Sequence, residues 1–352
     1  MDTASEVQAS ALSRRKFLVL GTGLLALAGA RWWLERSSPP PCFLERAGLK
    51  LVRGATQAFG TDVTVLVAHE DERQARVAID AALHEALEVD RLMSLYRADS
   101  QVRVLNTHGW LEHPHPRLLE VLRVAQEVSA RTGGAFDVTV QPLWEVYAGA
   151  KGDGRLPTKT EIERARALVD WRKLEIFDAL VRFTRPGMAI TLNGIAQGFA
   201  GDRMRVALEA HGISNALVNS GEIGGDGLNA TREPWRVGVK RPGVDAVLGV
   251  VRVDGRFIAT SADDQTVFSA DRVHHHIFDP ATGYSPPMVS SVTVIAPTGV
   301  LADALSTAVF VLGPKRGLAF ASGTLGVEAL IVSKDGCVRM TENFPLEPKP
   351  GA

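Results

Sequence analysis

Strand and helix signals are interleaved along this chain without strict alternation, and that order constrains the fold more than any other feature. Thr61-Asp62-Val63-Thr64-Val65-Leu66-Val67 is a β-branched run that predicts a strand. Over 73–93, Val77, Ile79, Ala82, Leu83, Ala86, Leu87 and Val89 recur at helical spacing. A second helix is predicted over 116–131, stopped by Gly133-Gly134, and a short one over 161–169. Residues 188–192 predict a strand that leads through a glycine-spaced turn into a helix over 197–210. Further strands are predicted at 216–219, 235–240, 248–253, 257–260 and 291–295. Helices over 301–312 and 316–322 precede a last strand at 327–332. Mixing of this kind predicts an α+β fold rather than a doubly wound parallel sheet. No repeat, low-complexity segment or composition break divides residues 48–345, so they form one predicted domain, followed by a tail over 346–352.

Composition excludes several classes of function. Of the 352 residues, 45% are hydrophobic and 22% charged, which supports a packed core and rules out wholesale disorder. Lys and Arg number 39 against 40 Asp and Glu, a balance with no electrostatic footprint for nucleic acid. Aromatics at 6% are too few for a base-stacking platform. Two cysteines, Cys42 and Cys337, cannot build a cysteine-rich zinc site; whether they pair with each other is left open by the sequence.

Residues 1–30 carry an address. Ser13-Arg14-Arg15-Lys16-Phe17-Leu18 precedes an apolar run from Val19 to Ala30 that ends in small residues. The pattern reads as a secretory signal, and its paired arginines resemble a twin-arginine signal, which exports folded proteins. An uncleaved membrane anchor is the competing reading, although Arg31 interrupts the apolar stretch. Pro39-Pro40-Pro41 marks 31–47 as a linker. A periplasmic location, with anchorage to the inner membrane if the signal stays uncleaved, is the expectation.

Several segments could carry chemistry. In Ala302-Asp303-Ala304-Leu305-Ser306-Thr307-Ala308, helical spacing puts the Asp303 carboxylate and the Thr307 hydroxyl on one face. Such a pair suits a hard cation like Mg²⁺; a solvated Asp beside a Thr bonded to its own helix would give the same spacing. Leu192-Asn193-Gly194-Ile195-Ala196-Gln197-Gly198 allows close backbone approach and opens a helix N-terminus to an anion, or is simply a tight turn. Gly221-Glu222-Ile223-Gly224-Gly225-Asp226-Gly227 either lines the same cleft or is a flexible connector. His274-His275-His276 cannot converge on one metal from adjacent strand positions, but one histidine beside the Asp279-Pro280 turn is a candidate general base. No nucleophile elbow and no HExxH helix is present.

Together and in this order, these segments resemble the ApbE family, the FAD:protein FMN transferases. The resemblance runs from about Phe59 to Val332 and rests most specifically on His276-Ile277-Phe278-Asp279-Pro280-Ala281-Thr282-Gly283 and on the helix from Ala302. It implies a single T-fold-related catalytic domain of mixed, largely antiparallel sheets with packed helices. It implies cleavage of FAD, release of AMP, and attachment of FMN by a phosphoester to a threonine of an acceptor protein, membrane-bound or periplasmic. The implied Mg²⁺ ligands are Asp303, Thr307 and the carbonyl of Gly194. The implied flavin contacts are Phe59, Tyr96, Ala135, Phe136, Asp137 and Ile277, and His276 is implied to take the proton from the acceptor hydroxyl. Thr191 and Gln197 stand on the cofactor-binding turn where the family usually has Asp and Lys, and Phe59 replaces a usual Met. The lost lysine removes positive charge from the phosphates. That leaves two other expectations open: a flavin-holding carrier or maturation factor like the NosX-like proteins of nitrous oxide respiration, and an FAD pyrophosphatase.

Overall fold

A computed structural model describes residues 48–244 and 246–348. The proposed signal, the linker and Cys42 lie outside the described residues; Cys337 is half-buried with a free thiol. Among the described residues no helix is long and apolar enough to cross a membrane.

In chain order the strands are β1 (Lys50–Ala58), β2 (Thr61–His69), β3 (Trp110–Glu112), β4 (Leu174–Ile176), β5 (Leu180–Phe183), β6 (Ala216–Asn219) and β7 (Ile223–Asp226). They continue as β8 (Arg236–Lys240), β9 (Val247–Arg252), β10 (Phe257–Ala262), β11 (Val289–Ala296), β12 (Glu328–Ser333), β13 (Val338–Met340) and β14 (Leu346–Glu347). The helices are α1 (Glu72–Met93), α2 (Gln101–His108), α3 (Pro116–Arg131), α4 (Gln141–Gly152), α5 (Lys159–Arg166), α6 (Ala196–Ala210) and α7 (Gly299–Ser322). Eight strands form the main sheet in the order β1-β2-β6-β7-β10-β11-β12-β13, with small sheets β14-β9-β8 and β3-β5-β4 beside it. Every strand pairing described is antiparallel. The expected α+β class, with largely antiparallel sheets, is what the chain adopts.

The main sheet is covered on both faces, which explains its dense apolar strands. Val63, Val65 and Val67 of β2 join the core beneath α1, α6 and α7, while Leu66 and Ala68 join a second cluster with Trp235, Val239 and Val251 of the β8–β9 side. Alternate residues of one strand point to opposite faces, so a strand apolar on both sides belongs between two layers. Helix α1 begins where Asp71 accepts hydrogen bonds from the N–H groups of Arg73 (2.8 Å) and Gln74 (3.2 Å). Its buried stripe of Ala75, Ala78, Ile79, Ala82, Leu83, Ala86 and Val89 faces the sheet.

Two local expectations are corrected. Residues 188–192 are extended but pair with no strand. The N–H of Ile190 donates to Asn106 Oδ1 (2.8 Å), Asn106 Nδ2 donates to the Ile190 carbonyl (2.8 Å), and the N–H of Thr191 donates to the Val138 carbonyl (2.8 Å). One amide side chain and one carbonyl thus satisfy the backbone that a ladder would have satisfied. The tail expected from residue 346 instead begins as β14, which pairs with β9. The two helical stretches expected after residue 300 are both present, as the halves of α7 parted at Gly313 (φ 74°, ψ 177°) before Pro314.

Candidate active site

Helices α6 and α7 cross so closely that glycine is required at the contact. A Cβ on Gly198 would lie 2.0 Å from the Gly299 carbonyl oxygen, and one on Gly299 would lie 2.3 Å from that of Gly198. The two helices cap each other across this crossing. Asp202 of α6 accepts from the N–H groups of Gly299 (2.7 Å) and Val300 (2.9 Å), at the start of α7. Asp303 of α7 accepts from the N–H of Gly198 (2.9 Å), in the first turn of α6, whose own N-cap Ile195 offers no side-chain acceptor.

That exchange sets the geometry of the acid-and-hydroxyl helix. Asp303 is 4% exposed, and burial pushes its carboxyl up to about 7 against the opposing hydrogen bond from Gly198. Its second carboxylate oxygen receives no hydrogen bond among the described residues. Thr307, one turn on, faces the same glycine turn: a Cβ on Gly194 would sit 3.1 Å from Thr307 Oγ1 and 3.7 Å from the Phe136 ring. Asp303, Thr307 and Gly194 are therefore brought together by one helical turn and one backbone turn. Gln197, in the same turn, lies with its side-chain amide against Gly221, where a Cβ would come within 2.3 Å of Gln197 Nε2.

Two participants were not among the residues expected from sequence. Glu222, on the loop between β6 and β7, is 8% exposed, and burial together with the Asp303 charge raises its carboxyl well above the usual range. It accepts from the N–H of Thr260 (3.2 Å). Ser261, at the end of β10, lies 2.7 Å from Ser306 Oγ and 3.3 Å from Thr307 Oγ1. A carboxylate placed in a run of glycines was the signal for Glu222. Ser261 carried no such signal.

His276 sits on a different element, the loop between β10 and β11. Its N–H donates to the Thr266 carbonyl (3.0 Å), and its Nδ1 lies 3.3 Å from the same oxygen. A carbonyl only accepts, so this contact puts the proton on Nδ1 and leaves the Nε2 lone pair free. Burial lowers the His276 pKa from its ordinary value, against the nearby charges of Asp264 and Asp263. His275 is fully buried against Phe310, which closes its ring to an incoming hydroxyl, and burial pushes its pKa down to about 4. The triple histidine does not converge on a metal: no cluster of three or more His, Cys, Asp or Glu suited to a metal occurs among the described residues.

The expected flavin contacts divide. Phe136 and Ile277 are buried in the main core, with Phe59 packed against it. Phe59 holds a left-handed backbone (φ 55°) in the β1–β2 turn, where its N–H donates to Asp90 (3.0 Å). The Asp137 carboxylate is already committed: it accepts from the Thr139 N–H (2.8 Å), the Thr139 hydroxyl (2.6 Å) and the Trp171 N–H (3.0 Å). Half-exposed Ala135 lies beside it in the same loop. Thr191 Oγ1 accepts from the Asn193 N–H (3.3 Å) and helps shape the turn. Tyr96 is 63% exposed and lines a cavity of about 790 Å³ with Arg103, Trp110, Trp144, Glu145 and Met188. Asp303, Thr307, Gly194 and His276 do not line that cavity.

An α+β domain in which a glycine turn meets an acid-and-hydroxyl helix defines the class of the protein, and its relatives agree. The ApbE family model matches residues 59–331. The chain belongs to the ApbE family. It is 34% identical over 275 residues to a FAD:protein FMN transferase of Vibrio cholerae serotype O1, covering 75% of this chain and 81% of that one. The crystal structure of the ApbE protein of Thermotoga maritima superposes with a TM-score of 0.77 at 31% identity, covering 85% of this chain and 100% of the other. The apo flavinyl transferase ApbE of Pseudomonas stutzeri superposes with a TM-score of 0.74 at 29% identity, covering 84% and 95%.

Proposed function

We propose that this chain is an exported, Mg²⁺-dependent FAD:protein FMN transferase. The observation that carries the proposal is the meeting of Asp303 and Thr307 with the Gly194 turn. Fit to a cation is supported by charge: Asp303 and Glu222 are both buried, and neither forms an ion pair with Lys, Arg or His among the described residues. Two neighbouring buried carboxylates without a counter-charge are costly, and a divalent cation relieves both. The donors available are all hard oxygens, which suits Mg²⁺. Asp303, Thr307 Oγ1 and the Gly194 carbonyl would hold it, and when bound it supplies charge neutralisation on the phosphoryl oxygens.

The protein's own groups do the rest. Nε2 of His276 accepts the proton of the acceptor threonine as its oxygen bonds to the phosphorus of the FMN moiety. The phosphorus–oxygen bond to the AMP phosphate breaks, and AMP leaves with the electron pair. Neutral His276 is the competent form, and its lowered pKa keeps it neutral at pH 7.

One observation favours a second reading. Gln197 presents a neutral amide on the turn, with its side chain packed on Gly221, so no lysine there offsets phosphate charge. A chain altered in this way could hold flavin without transferring it. Incubating the full-length protein with FAD, Mg²⁺ and a flavoprotein acceptor bearing a flavinylation threonine separates the readings. Transfer leaves flavin fluorescence on the denatured acceptor, a holder leaves none, and a pyrophosphatase releases free FMN.

A further inference from the structure

Lys334 follows directly on β12, where its N–H donates to the Met288 carbonyl (3.0 Å), so its backbone is fixed to the main sheet. Its ammonium reaches Asp263 Oδ2 at 2.8 Å and the Arg272 carbonyl at 2.7 Å. These two acceptors are the ends of the loop 263–272. Asp263 is 1% exposed and also accepts from the Ser290 hydroxyl (3.0 Å), so its charge is buried and Lys334 is its ion-pair partner. Removing one member of such a pair strands the other charge in a low-dielectric site. Arg272 holds a left-handed backbone (φ 59°), a conformation that persists in a non-glycine residue only where its surroundings hold it.

Between the two pinned ends lies Thr266, whose carbonyl meets both the N–H and Nδ1 of His276. The same stretch pairs with the histidine run, Val267 opposite His275 and the Phe268 N–H donating to the His274 carbonyl (2.7 Å). We infer that Lys334 is a positioning residue for His276: by tying Asp263 to the Arg272 carbonyl it closes the loop whose Thr266 carbonyl holds the imidazole with Nδ1 protonated and Nε2 free. The inference rests on His276 being the proton acceptor of the proposed transfer. Lys334 acts through eight backbone residues and one carbonyl, and it links the rigid sheet to the reacting imidazole.

The test uses the full-length protein with ¹⁵N-labelled histidine, His276 being assigned by its loss in His276→Gln. Wild type is expected to show His276 as a single tautomer with the proton on Nδ1. Lys334→Met is expected to show mixed tautomers. Its kcat for AMP release from FAD, with Mg²⁺ and the acceptor protein, should fall by about tenfold at unchanged KM for FAD, a misplacement effect of modest size. Lys334→Arg keeps both contacts and should restore both readouts. If Lys334→Met does not fold, Lys334→Gln, which removes the charge and shortens the side chain but keeps a donor, should show the same change in smaller degree. Wild-type tautomer and kcat in the Met or Gln variant would overturn the inference. A wild-type protein that transfers no FMN would instead remove the functional proposal, and the tautomer measurement would still decide the role of Lys334.

Discussion

The carboxylate of Asp303 accepts a hydrogen bond from the backbone N–H of Gly198 at 2.9 Å, so one oxygen of the candidate metal ligand is spent capping the helix that follows the glycine turn. The other oxygen accepts no hydrogen bond among the described residues and is the one the proposed cation would use. Fold and site thus share one side chain, and substitutions there separate the two roles. Asp303→Asn keeps an acceptor for Gly198 and should retain the fold while losing Mg²⁺ binding and FMN transfer. Asp303→Ala should lose both functions and also strand the Gly198 N–H, lowering stability by about 1–3 kcal/mol. Thermal melts and AMP release on the two variants check this.

The part of the metal-free protein's stability that Asp303 supplies should fall as pH rises. The Asp303 carboxyl is raised from 3.8 to about 7 by burial, so between those values the folded state holds a proton that the unfolded state has released. That contribution is complete below pH 4 and is lost as pH climbs through 7. Tm measured without metal should therefore drop from pH 5 to pH 8 relative to that of Asp303→Asn. Added Mg²⁺ should raise Tm more at pH 8 than at pH 5, and Asp303→Asn should flatten the metal-free trend.

His276→Ala should slow transfer by on the order of 10²–10⁴-fold, the usual range for loss of a positioned general base, while FAD still binds. Because burial holds the His276 pKa below 6.5, the acid limb of the wild-type rate profile should lie below pH 6.5 and vanish in the variant. A kcat profile across pH 5–8 measures both.

The crossing of α6 and α7 leaves no room for a methyl group. In Gly198→Ala the new Cβ would fall 2.0 Å from the Gly299 carbonyl and 2.7 Å from Asp303 Cβ. The helices must separate, at a cost of about 1–3 kcal/mol or more. Since Asp303 moves with α7, Mg²⁺ affinity should weaken in the same variant. Calorimetric Mg²⁺ titration beside a thermal melt tests the coupling.

Gln197→Lys should tighten FAD binding and raise the transfer rate if the absent charge limits this chain. Unchanged KM and kcat would show that the turn works without it.

Much of this was legible in the sequence, and the exceptions have physical causes. The Asp303–Thr307 pairing follows from residues four apart on a helix, a local relation. The approach of Gly194 to that helix is a tertiary contact and was reached only through family resemblance. Glu222 went unassigned because its partner, the Thr260 N–H, lies 38 residues away on a neighbouring strand. The apolar run at 188–192 has strand composition, yet Asn106 supplies the bonds a ladder would have made. Strand β1 escaped notice because most of its residues are exposed or half-exposed, leaving little alternation to detect.

The most direct measurement is the intact mass of the flavoprotein acceptor after incubation with FAD, Mg²⁺ and either wild type or Asp303→Asn. A gain of one FMN with wild type and none with the variant is the expected result. Equal gain with both, or transfer by wild type that persists when a chelator replaces Mg²⁺, would contradict a cation held by Asp303, Thr307 and Gly194.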